Sequence, residues 1–165
     1  SPPKVPTMFG GNGSTTYGSY TWFEACELAS AFNKRLPTQR EFMAAGYGTT
    51  EATASGGSDV PTTGITGTGA TSAWNVFTSK WGIIQSTGCM WVWSDDRAGP
   101  FASASWNANT DGRGSEYNAP NAGLLGGDWS YGAFCGSRCS FWSGAASVSD
   151  DGIGSRFACD HLQLD

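Results

Sequence analysis

Histidine occurs once in this chain, at His161, and Lys and Arg together number 9 against 14 Asp and Glu. The formal net charge is −5. No basic stripe breaks that balance. A phosphate backbone or an anionic membrane is therefore a poor partner, and nucleic-acid binding is not expected. No apolar run approaches the roughly 20 residues of a membrane-spanning helix. The cysteines, Cys26, Cys89, Cys135, Cys139 and Cys159, contain no CxxC pair, and one histidine cannot complete a zinc set. Neither a metal site nor a cofactor motif is read. An odd cysteine count leaves at least one thiol free in a monomer. A Cys26–Cys159 bridge from the first helix to the last strand is one expectation. Cys135 and Cys139 pair if their loop turns back, and buried free thiols are the other reading.

What is present is glycine, 24 residues of it, and aromatic bulk: 8 Trp and 9 Phe in 165 residues. That length suffices for one domain with a sizeable core. Large rings offset an apolar content of only 39%. Residues 1–20 read as an irregular lead-in or linker, and 21–165 as the domain. The opening Ser1-Pro2-Pro3-Lys4 reads as the start of a processed chain or an excised domain. Trp22, Ala25, Cys26, Ala29 and Phe32 fall at helical spacing, with Thr21 as the cap, and predict a helix to Asn33. Thr38 with Glu41 three residues on forms a capping box and predicts a second helix over 39–47, with Phe42, Ala44 and Ala45 inward. A third short helix is expected over 73–80. Ile83-Ile84 and Cys89–Trp93 read as strands, 94–121 as loop, Leu124-Leu125 as a strand, and Phe157–Cys159 with Leu162–Leu164 as the closing strand. The sum is an α+β domain: two N-terminal helices, short antiparallel strands and long ordered loops.

The segment from Gly126 to His161 is built differently. Gly126, Gly127, Trp129, Gly136, Arg138, Trp142, Gly154, Arg156 and Cys159 are rigid posts. Between them stand residues of no common chemistry, whereas core-facing positions should be uniformly apolar. A scaffold carrying a mixed binding surface accounts for that pattern.

Arg35-Leu36-Pro37-Thr38-Gln39-Arg40-Glu41-Phe42 resembles the RLPT-x-x-E-F/W signature of the formylglycine-generating-enzyme branch of the C-type lectin fold. Trp91-Val92-Trp93-Ser94, the run Gly126-Gly127-x-Trp129, Arg138 and Gly154-x-Arg156 resemble the rest of that pattern. The insertion from Gly48 to Gly82, and the stretches TGCMWVW, ANTDGRGSEYNAP, LLGGDW and CDHLQLD, are similar to the C-terminal domain of phage receptor-binding proteins. Those are variable proteins of diversity-generating retroelements. The likeness runs over most of the chain from about Leu36.

The resemblance implies a non-enzymatic receptor- or ligand-binding protein with a hypervariable surface on a fixed scaffold. In such systems adenines are miscopied, and AAC codons become NNC codons. The positions this implies as variable and ligand-binding, within about 126–157, are Asp128, Ser130, Tyr131, Phe134, Phe141, Ser143, Gly144, Val148, Asp150 and Gly152. Every one holds a residue that NNC can encode. Trp129 and Trp142, which it cannot encode, are expected to anchor the scaffold. Arg138 and Arg156 are expected to bind loop carbonyls or pair with Asp95, Asp96 or Asp160. Tyr131, Phe134 and Phe141 are the expected hot spots. The partner implied is a protein receptor or another surface ligand. The setting is outward-facing, a phage tail-fibre tip or a bacterial surface lipoprotein, with a homotrimer implied by the resemblance alone. Two rivals remain. A formylglycine-type oxidase needs a cysteine pair at i, i+5, and the cysteines here are at i, i+4. A calcium-dependent glycan lectin needs EPN or QPD beside WND; Asn118-Ala119-Pro120-Asn121 is a faint echo, while Asp95-Asp96 and Asp150-Asp151 are loop acids.

Overall fold

The computed structural model describes residues 20–53, 77–83, 86–100, 106–108, 114–150 and 152–160. Helix α1 spans Trp22–Ala31 and α2 spans Gln39–Ala45. Both begin with a full capping box, Thr21 with Glu24 and Thr38 with Glu41. Each Thr hydroxyl takes an otherwise unpaired amide, and each Glu reaches back to the cap. Strands follow at Trp91–Pro100 (β1), Trp106–Ala108 (β2), Ser115–Tyr117 (β3), Pro120–Leu125 (β4), Ser140–Gly144 (β5) and Ile153–Gly154 (β6). Four of them form one sheet in the order β5-β4-β1-β6, antiparallel except for β1 with β6. β2 and β3 make a separate antiparallel hairpin.

The alternation of β1 builds the core. Trp91 and Trp93 lie on one face with Tyr20, Ala25, Leu36, Leu124 and Ile153; Val92 lies on the other with Phe42 and Leu125. Fully burying rings of this size contributes roughly 1.5–3 kcal/mol each. Two of the packed indoles find acceptors: Trp93 donates to the Tyr20 carbonyl at 3.3 Å and Trp22, at the edge of the core, to the Ser94 carbonyl at 2.8 Å. Gly123 is needed for close approach, because a Cβ there would sit 2.6 Å from the Trp142 ring.

Polar residues 94–100, expected as loop, continue β1. Between Trp93 and Arg97 the strand carries extra residues relative to β4. That bulge turns Ser94 to Asp96 toward α2. Asp95 N donates to the Pro37 carbonyl at 2.9 Å, and Asp96 accepts from the first helical amide, Gln39 N, at 2.6 Å. An acid at a helix N-terminus is favoured by its unpaired amides and dipole. Strands β2, β3, β5 and β6 were likewise not predicted, because sheet pairing rather than apolar alternation defines them.

Other expectations need correction. All five cysteines are free. Cys26 is half-buried against the core, Cys159 is exposed, and the Cys135 thiol donates to the Asp128 carbonyl at 3.1 Å. Residues 77–80 form a turn rather than helix, with Phe77 packed on Cys89, while 73–76 lie outside the described residues. Ala44 is exposed and its carbonyl accepts from the Trp81 indole at 2.9 Å. The closing strand reduces to one bridge, Ala158 with Arg35; Ile84, His161 and Leu162–Leu164 lie outside the described residues.

Arg35 ties these pieces together. Its guanidinium donates to both Glu41 oxygens, at 2.7 and 2.6 Å, and to Asp160 at 3.0 and 2.9 Å. Glu41 also accepts from Thr38 N. These donors, Arg35 first, pull the Glu41 pKa down to about 2. A depressed carboxylate stabilises the fold above its ordinary titration range, and the contribution is lost as pH falls through the folded value. Resistance to thermal unfolding is therefore expected to weaken as pH falls from about 4.5 to about 2. Glu41→Gln should lower stability at neutral pH by roughly 1 kcal/mol and flatten that acid slope. An unchanged slope would show that Glu41 does not carry it.

A cleft built by the loop after β4 and by strand β5

Gly126 and Gly127 follow β4 with φ of +93° and +80°, a left-handed pair that suits glycine. A Cβ on Gly127 would meet the Cys135 sulfur at 2.5 Å, so the turn lies directly on the returning chain. Backbone bonds close the loop. Gly126 N donates to the Cys139 carbonyl at 2.9 Å, Gly136 N to the Gly126 carbonyl at 3.2 Å, and Ala52 N to the Cys135 carbonyl at 2.8 Å. Glu51 accepts from Ser137 N and its hydroxyl. Of the loop's own side chains, Asp128, Cys135 and Ser137 help to close it, while Tyr131 and Phe134 face outward, with Gly132–Phe134 as one 3-10 turn.

Asp128, Tyr131, Phe141, Ser143, Gly144, Val148 and Asp150 converge on one cleft of about 440 Å³. Trp91, Leu124, Ala145 and Ile153 complete its lining. β5 supplies Phe141 and Ser143 from its exposed face, since its burial alternates along the strand. Tyr131 is 42% and Phe141 41% exposed, and both rest on Trp91, with ring centroids at 5.0 and 6.2 Å. Asp128 is 9% exposed and its Oδ1 accepts from Ser130 N and the Ser130 hydroxyl, both at 2.7 Å. Asp150 Oδ1 accepts from Gly152 N at 2.8 Å.

Three expected positions do not line the cleft. Ser130 is exposed and serves Asp128. Phe134 stands 79% exposed on the 3-10 turn. Gly152 is buried; a Cβ there would meet Asp128 Oδ2 and Asp150 Oδ1, each at 3.1 Å, and the Trp129 ring at 3.4 Å. Gly144 differs, because its Cβ would make only ordinary contacts of 3.6 Å or more.

The scaffold residues divide. Trp129 is half-buried against Gly152. Trp142 packs on the Phe42, Val92 and Leu125 cluster, and its indole donates to the Ser140 hydroxyl at 2.9 Å. Arg156 is half-buried beside Cys89, and burial lowers its pKa. Arg138 is exposed, with no hydrogen bond or ion pair to Asp95, Asp96 or Asp160 among the described residues. Asp160 is taken by Arg35 and Asp96 by Gln39. Trp91 and Leu124 were read only as strand and Ile153 not at all; the WVW alternation hinted at Trp91, but the parallel pairing with β6 places it under the cleft.

The two thiols of the loop are held in the protonated form. Burial pushes the Cys135 pKa up to about 12 and raises that of Cys139. Among the described residues, no group of three or more His, Cys, Asp or Glu side chains is placed to hold a metal ion.

Comparison with known proteins gives one consistent answer. The chain is 50% identical over 163 residues to the tail fiber receptor-binding protein of Bordetella phage BPP-1, covering 99% of this chain and 43% of that protein. Among solved structures, the I1 variant of the Major Tropism Determinant aligns with a TM-score of 0.80 and 51% identity, over 87% of this chain and 38% of that one. The P3c variant aligns at 0.81 and 52%, over 94% and 42%. The chain thus has the C-type lectin fold and spans less than half the length of these relatives. No family model matches it.

The glycine geometry has a measurable consequence. Gly144→Ala should leave the melting temperature within about 1–2 °C, as for a surface change. Gly152→Val should lower it by about 5 °C or more, because Asp128 and Trp129 must move. Equal effects would mean the segment around Gly152 yields freely.

Proposed function

This chain shares its fold and half its residues with the phage tropism determinants, and on that premise we propose that it is a non-enzymatic receptor-binding domain at the tip of a tail fibre. Its ligand-contacting surface is the cleft and the loop beside it. Asp128, Tyr131, Phe141, Ser143, Gly144, Val148 and Asp150 make the cleft, and Ser130 and Phe134 extend it. The observation that carries this reading is convergence: seven of the positions singled out as variable line one concavity.

Exposed aromatics give contact area at low entropic cost, and polar neighbours supply discrimination. A loop closed by backbone bonds keeps its shape while such side chains change. That property fits diversification by a retroelement. An AAC-bearing template repeat beside a reverse transcriptase gene in the neighbouring DNA is the expected sign of it, and a locus without either would leave a fixed binder. A homotrimer belongs to the same proposal, since several copies convert modest affinity into firm attachment. The protonated thiols speak against oxidase chemistry, which needs a thiolate.

The test is adsorption. Phage carrying Tyr131→Ser, Phe134→Ser and Phe141→Ser together should lose at least about tenfold in adsorption to the strain on which the parent forms plaques, each hot-spot contact being worth about 2 kcal/mol. The melting temperature should fall only slightly, because all three rings are substantially exposed. Normal adsorption by a folded triple variant would place the receptor site elsewhere.

A further inference from the structure

Resting on that reading of the cleft, we infer that it seats a basic side chain, an arginine or lysine projecting from a protein on the host surface. Charge is the first argument. The lining holds the carboxylates of Asp128 and Asp150 and no Lys, Arg or His. Geometry is the second. Both acids approach Gly152, with Asp128 Oδ2 and Asp150 Oδ1 each 3.1 Å from the point a Cβ there would occupy. Their Oδ1 atoms are committed to the amides of Ser130 and Gly152. Asp128 is 9% exposed, yet no hydrogen bond reaches its Oδ2 among the described residues. That oxygen still reaches solvent, so it is open to a charged donor from a ligand.

The walls make the third argument. Trp91, Tyr131 and Phe141 meet in a cluster, with Tyr131 edge-on to Trp91 and Phe141 tilted beside it. Aromatic faces attract a cation, and more so where water is excluded. An apolar ligand group would gain the rings but cover the two carboxylates with nothing to replace the water they lose. A calcium ion would find two carboxylates where it takes six to eight oxygens. A guanidinium or ammonium on an aliphatic stem satisfies both features: the stem lies along Leu124, Val148 and Ile153, and the head reaches the acids.

Two matched probes test this, N-acetyl-arginine methylamide and its citrulline counterpart, which keeps the shape and loses the charge. Each is titrated into the protein while the Trp91 indole N–H resonance is followed. The arginine probe should bind about tenfold more tightly or better. Asp128→Asn and Asp150→Asn should each erase most of that preference. Both variants retain an Oδ1 acceptor for the local turn, so folding is not at stake. Asp95→Asn, outside the cleft, should leave the preference intact. Equal binding of the two probes, or a preference that survives both cleft variants, overturns the inference. If neither probe binds while the aromatic variants still lose adsorption, the basic-group inference falls and the receptor-site reading stands. If the aromatic variants adsorb normally, both fall.

Discussion

The Arg35 guanidinium, held between Glu41 and Asp160, is the constraint on which the rest of the fold depends. Glu41 is already engaged with the Thr38 cap, so Arg35 joins the start of α2 to the end of the described chain. Its own backbone pairs with Ala158 in both directions, at 3.0 and 2.8 Å. Leu36 between them is 1% exposed, and the Pro37 carbonyl receives Asp95 N. Seven consecutive residues thus fix a helix, the bulge of the central strand and the C-terminal segment relative to one another. Each link is individually modest, since the ion pairs are partly exposed. Their strength is geometric, because the bidentate fork permits only one arrangement.

That frame matters for the cleft because everything flanking it is anchored elsewhere. β4 enters the loop from the sheet, β5 leaves it, and β6 returns alongside β1 with Trp91 N donating to the Gly152 carbonyl at 2.9 Å. Between these fixed ends the loop is held by main-chain bonds and by Cys135, packed under Gly127. Side chains at 130, 131 and 134 carry little of the loop's stability. A surface that contributes little to folding is free to be selected for contact, and a rigid backbone lowers the entropy lost on binding.

Local chemistry made the two helices legible, because capping boxes and helical spacing act over a few residues. Both N-termini fall where Thr21 and Thr38 predicted. The lectin-like layout followed from resemblance at Arg35–Phe42, Trp91–Ser94 and Gly126–Trp129. What the residues hid was long-range. SFWSG does not announce a strand until Leu124 and Leu125 pair with Phe141 and Ser140. Ser94–Asp96 looked like loop because their partners, Pro37 and Gln39, lie some 57 residues away. Arg138 looked like a support because it stands among posts, yet two of the acids expected for it, Asp96 and Asp160, are taken by Gln39 N and Arg35. The Cys26–Cys159 bridge failed for a related reason: pairing of Ala158 with Arg35 leaves Cys159 facing solvent.

Packing also grades the positions that one rule had grouped together. Codon chemistry treats Gly144 and Gly152 alike. At Gly144 a side chain meets Leu124 and Phe141 at ordinary distances, so it would reshape the cleft wall. At Gly152 it meets two carboxylate oxygens and the Trp129 ring, so it would displace the acids instead. Asp128 is graded too: its Oδ1 shapes the loop through Ser130 while its Oδ2 lies against Gly152. A substitution there changes the cleft lining and the loop's turn together. The positions with one role, Tyr131, Phe141, Ser143 and Val148, can change chemistry without moving the chain. Those with two, Asp128 and Gly152, cannot change without shifting the loop or its acids.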